Sequence, residues 1–436
     1  MKDYLRKHLP ESAILYSHKL RGILAAIIFG YPSRRLKIIG VTGTNGKTTT
    51  SNMIAKILEK SGYKVGLATT INFKIGEKEW VNKTKMTTVS PFALQKFLKN
   101  CVSAGCHYVV LETTSHAIAQ YRNFGIDYNI AVLTNITHDH LDYHKTYAEY
   151  RLTKAKLFNS GKTINIINAD DKSANFFIDL PSVRTITYGL EHPEHGRIVK
   201  PEILGKKILL EPGNSLVTVV TPIGQIAYDL KLPGKFNIYN ALASTAVAVA
   251  LDIHLNVVKS ALESIEVIPG RMEKIDLGQS FTVLIDYAHT PDALEQIYQT
   301  LNQAKHERII SVLGACGDRD KSKRPIMGAL AGHYADVVIV TDEDPYTEEP
   351  EKIIEEVASG VPRGSKIKES KILGKNFFRI LNRRDAIRKA VNMAYKDDIV
   401  IITGKGAEEA MVVGHEKIPW SDRKIAKEFL LKRING

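Results

Sequence analysis

Apolar runs that end on polar residues recur along most of this chain. From Lys37 the text reads KIIGVTGTNGKTTTSNMIAKILEKSGYKVGLATT, an apolar stretch (Lys37–Val41) running into a glycine-rich turn. Met53, Ile54, Ile57 and Leu58 then recur at helical spacing, and Val65–Ala68 forms a second apolar run. HYVVLETTSH, NIAVLTNITHDH and TINIINADD repeat the pattern of an apolar run with a polar tip. Buried strands alternating with helices predict a mostly parallel sheet covered on both faces. The polar tips place a site at the carboxyl ends of its strands. From about Gly270 the pattern restarts: FTVLIDYAHT, RIISVLGACGDRD, DVVIVTDEDP and DIVIITGKGAEE read as four more strands. Helical segments at Arg324–His333 and Arg384–Tyr395 lie between them.

Length and composition narrow the class. At ~150 residues per domain, 436 residues predict two to three domains. The 44% apolar and 25% charged fractions are those of a globular chain and argue against disorder. Three cysteines make no disulfide framework. No apolar run reaches the ~18 residues of a membrane span, and no small-residue cleavage site follows an apolar core near the N-terminus. The formal charge of +13 would suit nucleic acid or an anionic surface. It is unevenly spread, however: residues 1–37 carry +6 and residues 363–389 carry +8, leaving the rest nearly neutral. A nucleic-acid groove interleaves cations with aromatics, yet Arg363–Lys389 holds only Phe377 and Phe378. Nucleic acid is therefore not expected as a partner.

The glycine-rich turn carries the first specific chemistry. Gly43, Thr44, Asn45, Gly46, Lys47 and Thr48, with Thr49 behind them, follow a strand and open a helix. In that setting backbone N–H groups wrap phosphates, Lys47 reaches the outer phosphates and the Thr48 hydroxyl ligates Mg²⁺. Val41 stands where the general phosphate-loop pattern has its first glycine. Glu112 ends the run Val109–Leu111, where a phosphate-loop ATPase places a metal carboxylate.

Around these residues lies an ordered series of motifs: VTGTNGKTTT, MTTVSP, LETTSHAIAQYR, TNITHDHLDYH, YRLTKAKLF, NADD, GKFNIYN, IPGRME, DYAHTPDAL, GACGDRDKSKRP, TDEDPYTEEP and GKGAEE followed by WSDR. From about Lys37 to Arg423 the chain resembles the Mur ligases, and within them the branch that adds the third residue of a muramyl peptide. The resemblance implies an α/β fold with a short basic, apolar leader (1–37), a central phosphate-loop ATPase domain (38–269) and a C-terminal Rossmann-like domain (270–436). It also implies a monomeric, cytoplasmic ligase of peptidoglycan biosynthesis using ATP and Mg²⁺, whose partners are a muramyl-peptide-like acceptor and an amino acid. Such a ligase joins the amino acid to a carboxylate through an acyl phosphate. A carboxylate attacking a γ-phosphate meets repulsion between two anions, so the site needs Mg²⁺ and cations rather than a strong base.

By the same resemblance Lys47 holds phosphates, Thr48 and Glu112 serve Mg²⁺, and His140 is a metal ligand. Lys154 matches the family lysine that becomes carbamylated and so turns from a cation into an oxygen ligand for a second Mg²⁺. Lys156, two residues on, faces elsewhere on a helix. Asn240 would address the base, while Arg271 and Asp286 reach ATP from the second domain as it closes. Thr87, Thr88, Thr114, Gln120 and Arg122 would handle the acceptor carboxylate. Arg319, Glu343, Asp344, Tyr346, Gly404 and Glu408 would face the amino acid.

Two departures qualify the resemblance. Relatives that add meso-diaminopimelate read Asp-Asn-Pro-Arg where this chain has Glu343-Asp344-Pro345-Tyr346, and Ala407 replaces a usual histidine. A tyrosine makes no bidentate charged pair with a carboxylate, so an acidic Glu343–Asp344 pair predicts a cationic side chain such as that of lysine. Second, family members carry an N-terminal domain for the uridine nucleotide, and only about 37 residues precede the phosphate-loop domain here. That domain is expected to be missing, which leaves a UDP-linked, a lipid-linked or another acceptor open. Residues 12–30 are largely apolar and contain Lys19 and Arg21. Peripheral membrane contact and a helix packed on the ATPase domain are two readings of that segment.

Overall fold

The computed structural model describes residues 10–84, 86–137, 141–193, 196, 199–211, 213–362 and 372–435. The expected metal ligand His140 lies outside the described residues, as does part of the second basic stretch.

Eleven strands form the first sheet: β1 (Lys37–Thr42), β2 (Val65–Ala68), β3 (Asn72–Ile75), β4 (Lys78–Val81), β5 (Tyr108–Glu112), β6 (Ile130–Leu133), β7 (Ile164–Asn168), β8 (Arg184–Leu190), β9 (Ile203–Leu210), β10 (Ser215–Thr221) and β11 (Gly224–Leu230). Their spatial order is β11-β10-β9-β8-β7-β6-β1-β5-β2-β3-β4. The middle, from β9 to β2, is parallel, and antiparallel hairpins extend both edges. The sequence pattern shows the parallel middle because β5, up to its terminal Glu112, and β6 are apolar runs, and both strands are buried at every position. The hairpin edges are half-solvated, and β10 alternates buried and partly exposed residues, a period-two signal.

One face is covered by the helices Lys47–Lys60 and Lys235–Ala250, which share a core with Val41, Val110, Val132 and Ile166. The second of these is apolar nearly all round, as a helix enclosed on every side must be. The helix Pro91–Ser103 and a cluster around Tyr150, Phe158 and Phe177 cover the other face. β5 and β6 flank β1, so the chain leaves β1 towards both sides. The crevice at such a switch point opens at the carboxyl ends of these strands.

The second sheet contains β12 (Glu273–Ile275), β13 (Thr282–Ile285), β14 (Ile309–Leu313), β15 (Val337–Thr341), β16 (Phe377–Ile380) and β17 (Ile399–Ile402), in the order β12-β13-β17-β14-β15-β16. β12 pairs antiparallel; the other pairs are parallel. A small hairpin, β18 (Ala410–Val413) and β19 (Glu416–Pro419), follows. The expected helices span Lys323–Tyr334 and Arg383–Met393. The two sheets' carboxyl ends face one another across a cleft of about 1560 Å³.

Candidate active site

The phosphate loop joins β1 to the helix Lys47–Lys60. Gly46 sits at φ 81, and a Cβ there would stand 2.4 Å from Asn240 Oδ1. Glycine alone lets the loop lie against the helix Lys235–Ala250 at this conformation. The end of β6 braces the loop from the side. The Asn45 N–H donates to Asn135 Oδ1 (2.9 Å), the Thr44 N–H to the Asn135 carbonyl (2.8 Å), and Thr134 Oγ1 to the Asn45 carbonyl (2.6 Å). Lys47 Nζ donates to the Thr44 carbonyl at 2.6 Å. The helix start adds the positive end of its dipole to the same cradle.

Thr48 is the hub. Its hydroxyl donates to Glu112 Oε2 (3.0 Å) and accepts from Arg271 Nη2 (3.0 Å), an arginine of the second α/β unit. Glu112 is 3% exposed, and its carboxylate also accepts from the N–H and hydroxyl of Thr70. These donors are all neutral, and a buried carboxylate so surrounded suits a cation. The hydroxyl and carboxylate oxygens form the hard donor set that Mg²⁺ prefers, so these residues fit that ion. Thr49 lines the same cleft.

Lys154 is not a surface lysine. It is 1% exposed, Nζ donates to the Gly43 carbonyl (2.8 Å), and it lies 4.5 Å from the Tyr150 ring centroid. The helix Tyr147–Ala155 aims this side chain under the phosphate loop, whereas Lys156 is exposed.

On the acceptor side Thr87, Thr88, Thr114, Gln120 and Arg122 line the cleft together. Their hydrogen bonds subdivide them. Arg122 grips Gln120 Oε1 through Nε and Nη2, and donates to the Thr88 carbonyl through Nη1. Thr114 Oγ1 accepts from the Ala117 N–H and so caps the helix Ser115–Ala119. Thr87 Oγ1 shares a hydrogen bond with Thr70 Oγ1 at 2.9 Å.

Two expected nucleotide contacts, Asn240 and Asp286, line the cleft and also hold its walls together. Asn240 Oδ1 accepts from Thr50 Oγ1 (3.1 Å) while its Nδ2 donates to Asn237 (3.2 Å), so this side chain supports Gly46 from behind. Asp286 accepts from the N–H groups of Met272 and Ala288, both at 2.7 Å. Burial raises its carboxyl above the ordinary range, and Arg271 opposes that rise. Asp286 thus holds the turn that carries Arg271. Arg271 itself lies 4.7 Å from the Tyr287 ring centroid.

The amino-acid side departs most from expectation. Asp344 is buried at the cleft wall, and its Oδ1 accepts from Lys405 Nζ (3.0 Å) and from the Val412 N–H (2.7 Å). Lys405 is fully buried and also donates to Glu408 (2.8 Å). Burial alone would lower the Lys405 ammonium, but Glu408, Asp344 and Glu343 outweigh it and raise it. Glu343 is 2% exposed. Oε1 accepts from Cys316 Sγ (3.1 Å), and Oε2 has no hydrogen-bond partner among the described residues. Gly404, at φ 107, makes room for that oxygen, since a Cβ would come within 2.5 Å of it. Arg319 is exposed, 5.1 Å from the Tyr346 ring centroid.

Sequence reasoning missed Thr70, Asn135, Asp292, Cys316 and Lys405, all of which shape this site. Asn135, Asp292 and Lys405 stand in motifs at strand ends or a helix start, and that position was their signal.

Known proteins share this arrangement. The profile of the Mur ligase middle domain matches residues 41–248, and that of the Mur ligase glutamate ligase domain matches residues 270–406. A UDP-N-acetylmuramoyl-L-alanyl-D-glutamate–2,6-diaminopimelate ligase of Geobacillus thermodenitrificans is 37% identical over 98% of this chain and 86% of its own length. A UDP-N-acetylmuramyl-tripeptide synthetase of Roseiflexus sp. is 38% identical, covering 93% of this chain and 81% of its own. A solved diaminopimelate ligase structure of the same name as the first superposes with a TM-score of 0.61 at 31% identity, over 92% of this chain and 79% of that one. Matched through both domain profiles and along nearly its whole length by such relatives, this chain belongs to the Mur ligase family, a family of ATP-dependent amide ligases.

Proposed function

We propose that this enzyme adds an amino acid to the free carboxylate of a cytoplasmic UDP-N-acetylmuramoyl-dipeptide, acting as a monomer with ATP and Mg²⁺. One observation carries the reading. Within a single cleft, the phosphate loop with its Thr48–Glu112–Arg271 hub faces the acceptor group around Arg122 and the amino-acid group around Glu343. Lys47 and Arg271 supply the cations that offset charge on the phosphates, and Mg²⁺, when bound at Thr48 and Glu112, supplies further charge neutralisation. Lys154 is the carbamylated ligand of this reading, and the seam between the ATPase and Rossmann-like units lies at residues 269–270.

The incoming amino acid ends in a terminal amine with no carboxylate beside it. Diaminopimelate names the Geobacillus relative, but Tyr346 provides no guanidinium for a distal carboxylate. Glu343 presents a buried carboxylate oxygen to the cleft instead, and Arg319 at the rim is the cation for the α-carboxylate. Phosphate release with UDP-N-acetylmuramoyl-dipeptide and amino acids added singly tests both parts. Lysine or ornithine is expected to turn over fastest. Diaminopimelate as the best substrate defeats the terminal-amine reading, and no release with any amino acid defeats the UDP-linked acceptor.

A further inference from the structure

The helix Glu11–Phe29 is apolar on two opposite sides, and the described residues cover one of them. The covered side uses small residues for close approach. Ala25 and Ala26 are fully buried, and a Cβ on Gly22 would come within 2.7 Å of the Tyr121 carbonyl. Phe29 meets Lys99 of the helix Pro91–Ser103, with the ammonium 6.0 Å from its ring centroid. The helix is therefore fixed along the ATPase unit.

The other side faces outwards. Tyr16 (64% exposed), Leu20 (41%), Leu24 (51%), Ile27 (57%) and Ile28 (61%) are all solvent-facing. At helical spacing these five fall within an arc of roughly 120°, opposite Gly22, Ala25 and Ala26. Lys19 and Arg21 are exposed and border the arc, one on each side. Ser12–Phe29 has a mean hydropathy of 1.3, with 17% of it buried, and contains no acidic residue. An outward stripe of large apolar side chains on a globular protein marks an interaction surface. Length and apolarity would also suit a membrane-spanning helix, but one side of this helix is packed along its own protein.

We propose that this stripe docks on an anionic phospholipid bilayer, with the helix lying in the plane of the interface. The charge pattern selects the occupant. Side chains of the stripe enter the acyl boundary while Lys19 and Arg21 reach sideways to lipid phosphates, the arrangement of an interfacial helix. This goes beyond the catalytic reading and does not depend on it, because no residue of the stripe belongs to the active site.

Flotation of the purified full chain with vesicles tests the proposal. The protein is expected to float with phosphatidylglycerol-containing vesicles, to stay behind with pure phosphatidylcholine, and to be released by high salt. Two double variants are compared, Leu24→Glu with Ile28→Glu and Lys19→Glu with Arg21→Glu. Each should lower the bound fraction by about tenfold or more. Thermal melting and phosphate release without vesicles should match the parent, since all four positions face solvent. Failure of the folded parent to float with anionic vesicles overturns the proposal, as does equal binding of either folded variant. A dimer in sedimentation velocity that the Leu24→Glu, Ile28→Glu variant dissolves would assign the stripe to a second copy and likewise overturn it.

Discussion

Lys154 and Asp342 show how burial gives a charged side chain its role. The Lys154 amine is enclosed beneath the phosphate loop, where a permanent positive charge on Nζ would oppose metal binding at Glu112. Conversion to a carbamate changes that sign. Lys154→Ala is expected to lower kcat by about 10²- to 10³-fold, the cost of losing one preorganised electrostatic group. Wild-type activity should fall in carbon-dioxide-depleted buffer and return with bicarbonate; activity indifferent to both would end the carbamate reading. Asp342 offers a pH test. Burial pushes its carboxyl up to about 6, against the Glu343 N–H and Arg383, which favour the charged form. Between the ordinary carboxylate range and pH 6 the folded state therefore holds a proton that the unfolded state has released. The stabilisation from this group is present at low pH and is lost as pH rises through 6. Each tenfold difference in proton affinity between the two states corresponds to about 1.4 kcal/mol. Asp342→Asn, whose amide oxygen can still accept from the Glu343 N–H, should raise the melting temperature above pH 6 and leave it unchanged near pH 4. Equal melting temperatures at pH 7 would refute this.

At the scale of elements, the phosphate loop depends on a single backbone conformation. Gly46→Ala would force a side chain into φ 81 and against Asn240 Oδ1. A stability loss of about 1–3 kcal/mol follows from such strain, and the KM for ATP should rise by at least about tenfold. A variant with wild-type KM and melting temperature would show that the loop relaxes freely. This element was legible in the sequence because a strand, a glycine turn and a helix are all local features. So were β5, β6, β13, β14, β15 and β17, whose apolar runs are buried on both faces. The edge strands β3, β4, β9, β10 and β11 were not, since their half-solvated alternation is weak and their pairing depends on distant partners. The same limit applies within the site. Glu112 and Lys47 announce themselves by position in a motif, whereas nothing local shows that Asp344 pairs with Lys405, 61 residues away. Spacing shows which residues share a strand end. It does not show which of them neutralise each other.

For the whole molecule, the proposed reaction needs the two sheets to meet across the cleft that would hold the nucleotide. Hydrogen bonds that span the cleft include Arg271 to Thr48, Asn45 Nδ2 to Asp292 Oδ2 at 2.7 Å, and Lys417 Nζ to the Thr84 carbonyl at 3.1 Å. The second differs in kind from the first. Arg271 reaches the Thr48 hydroxyl, the proposed metal ligand, but Asp292 grips the phosphate loop by a side chain that needs no ligand to be present. Asp292 lies in the first turn of the helix Pro291–Gln303, and Gln296 donates to both of its oxygens. It is therefore oriented before the loop arrives. A charge-assisted hydrogen bond of this kind contributes about 1.5–3 kcal/mol, enough to bias closure without making it irreversible. Asp292→Ala should leave the fold intact, since Asp292 is partly exposed at a helix start. It should open the cleft, raising the radius of gyration in solution scattering, and raise the KM for ATP by about tenfold. The kcat should fall much less, because saturating nucleotide restores closure through Arg271. An unchanged radius and KM would mean that the loop and the second unit meet without this contact. A fall in kcat at constant KM would instead assign Asp292 to the chemical step.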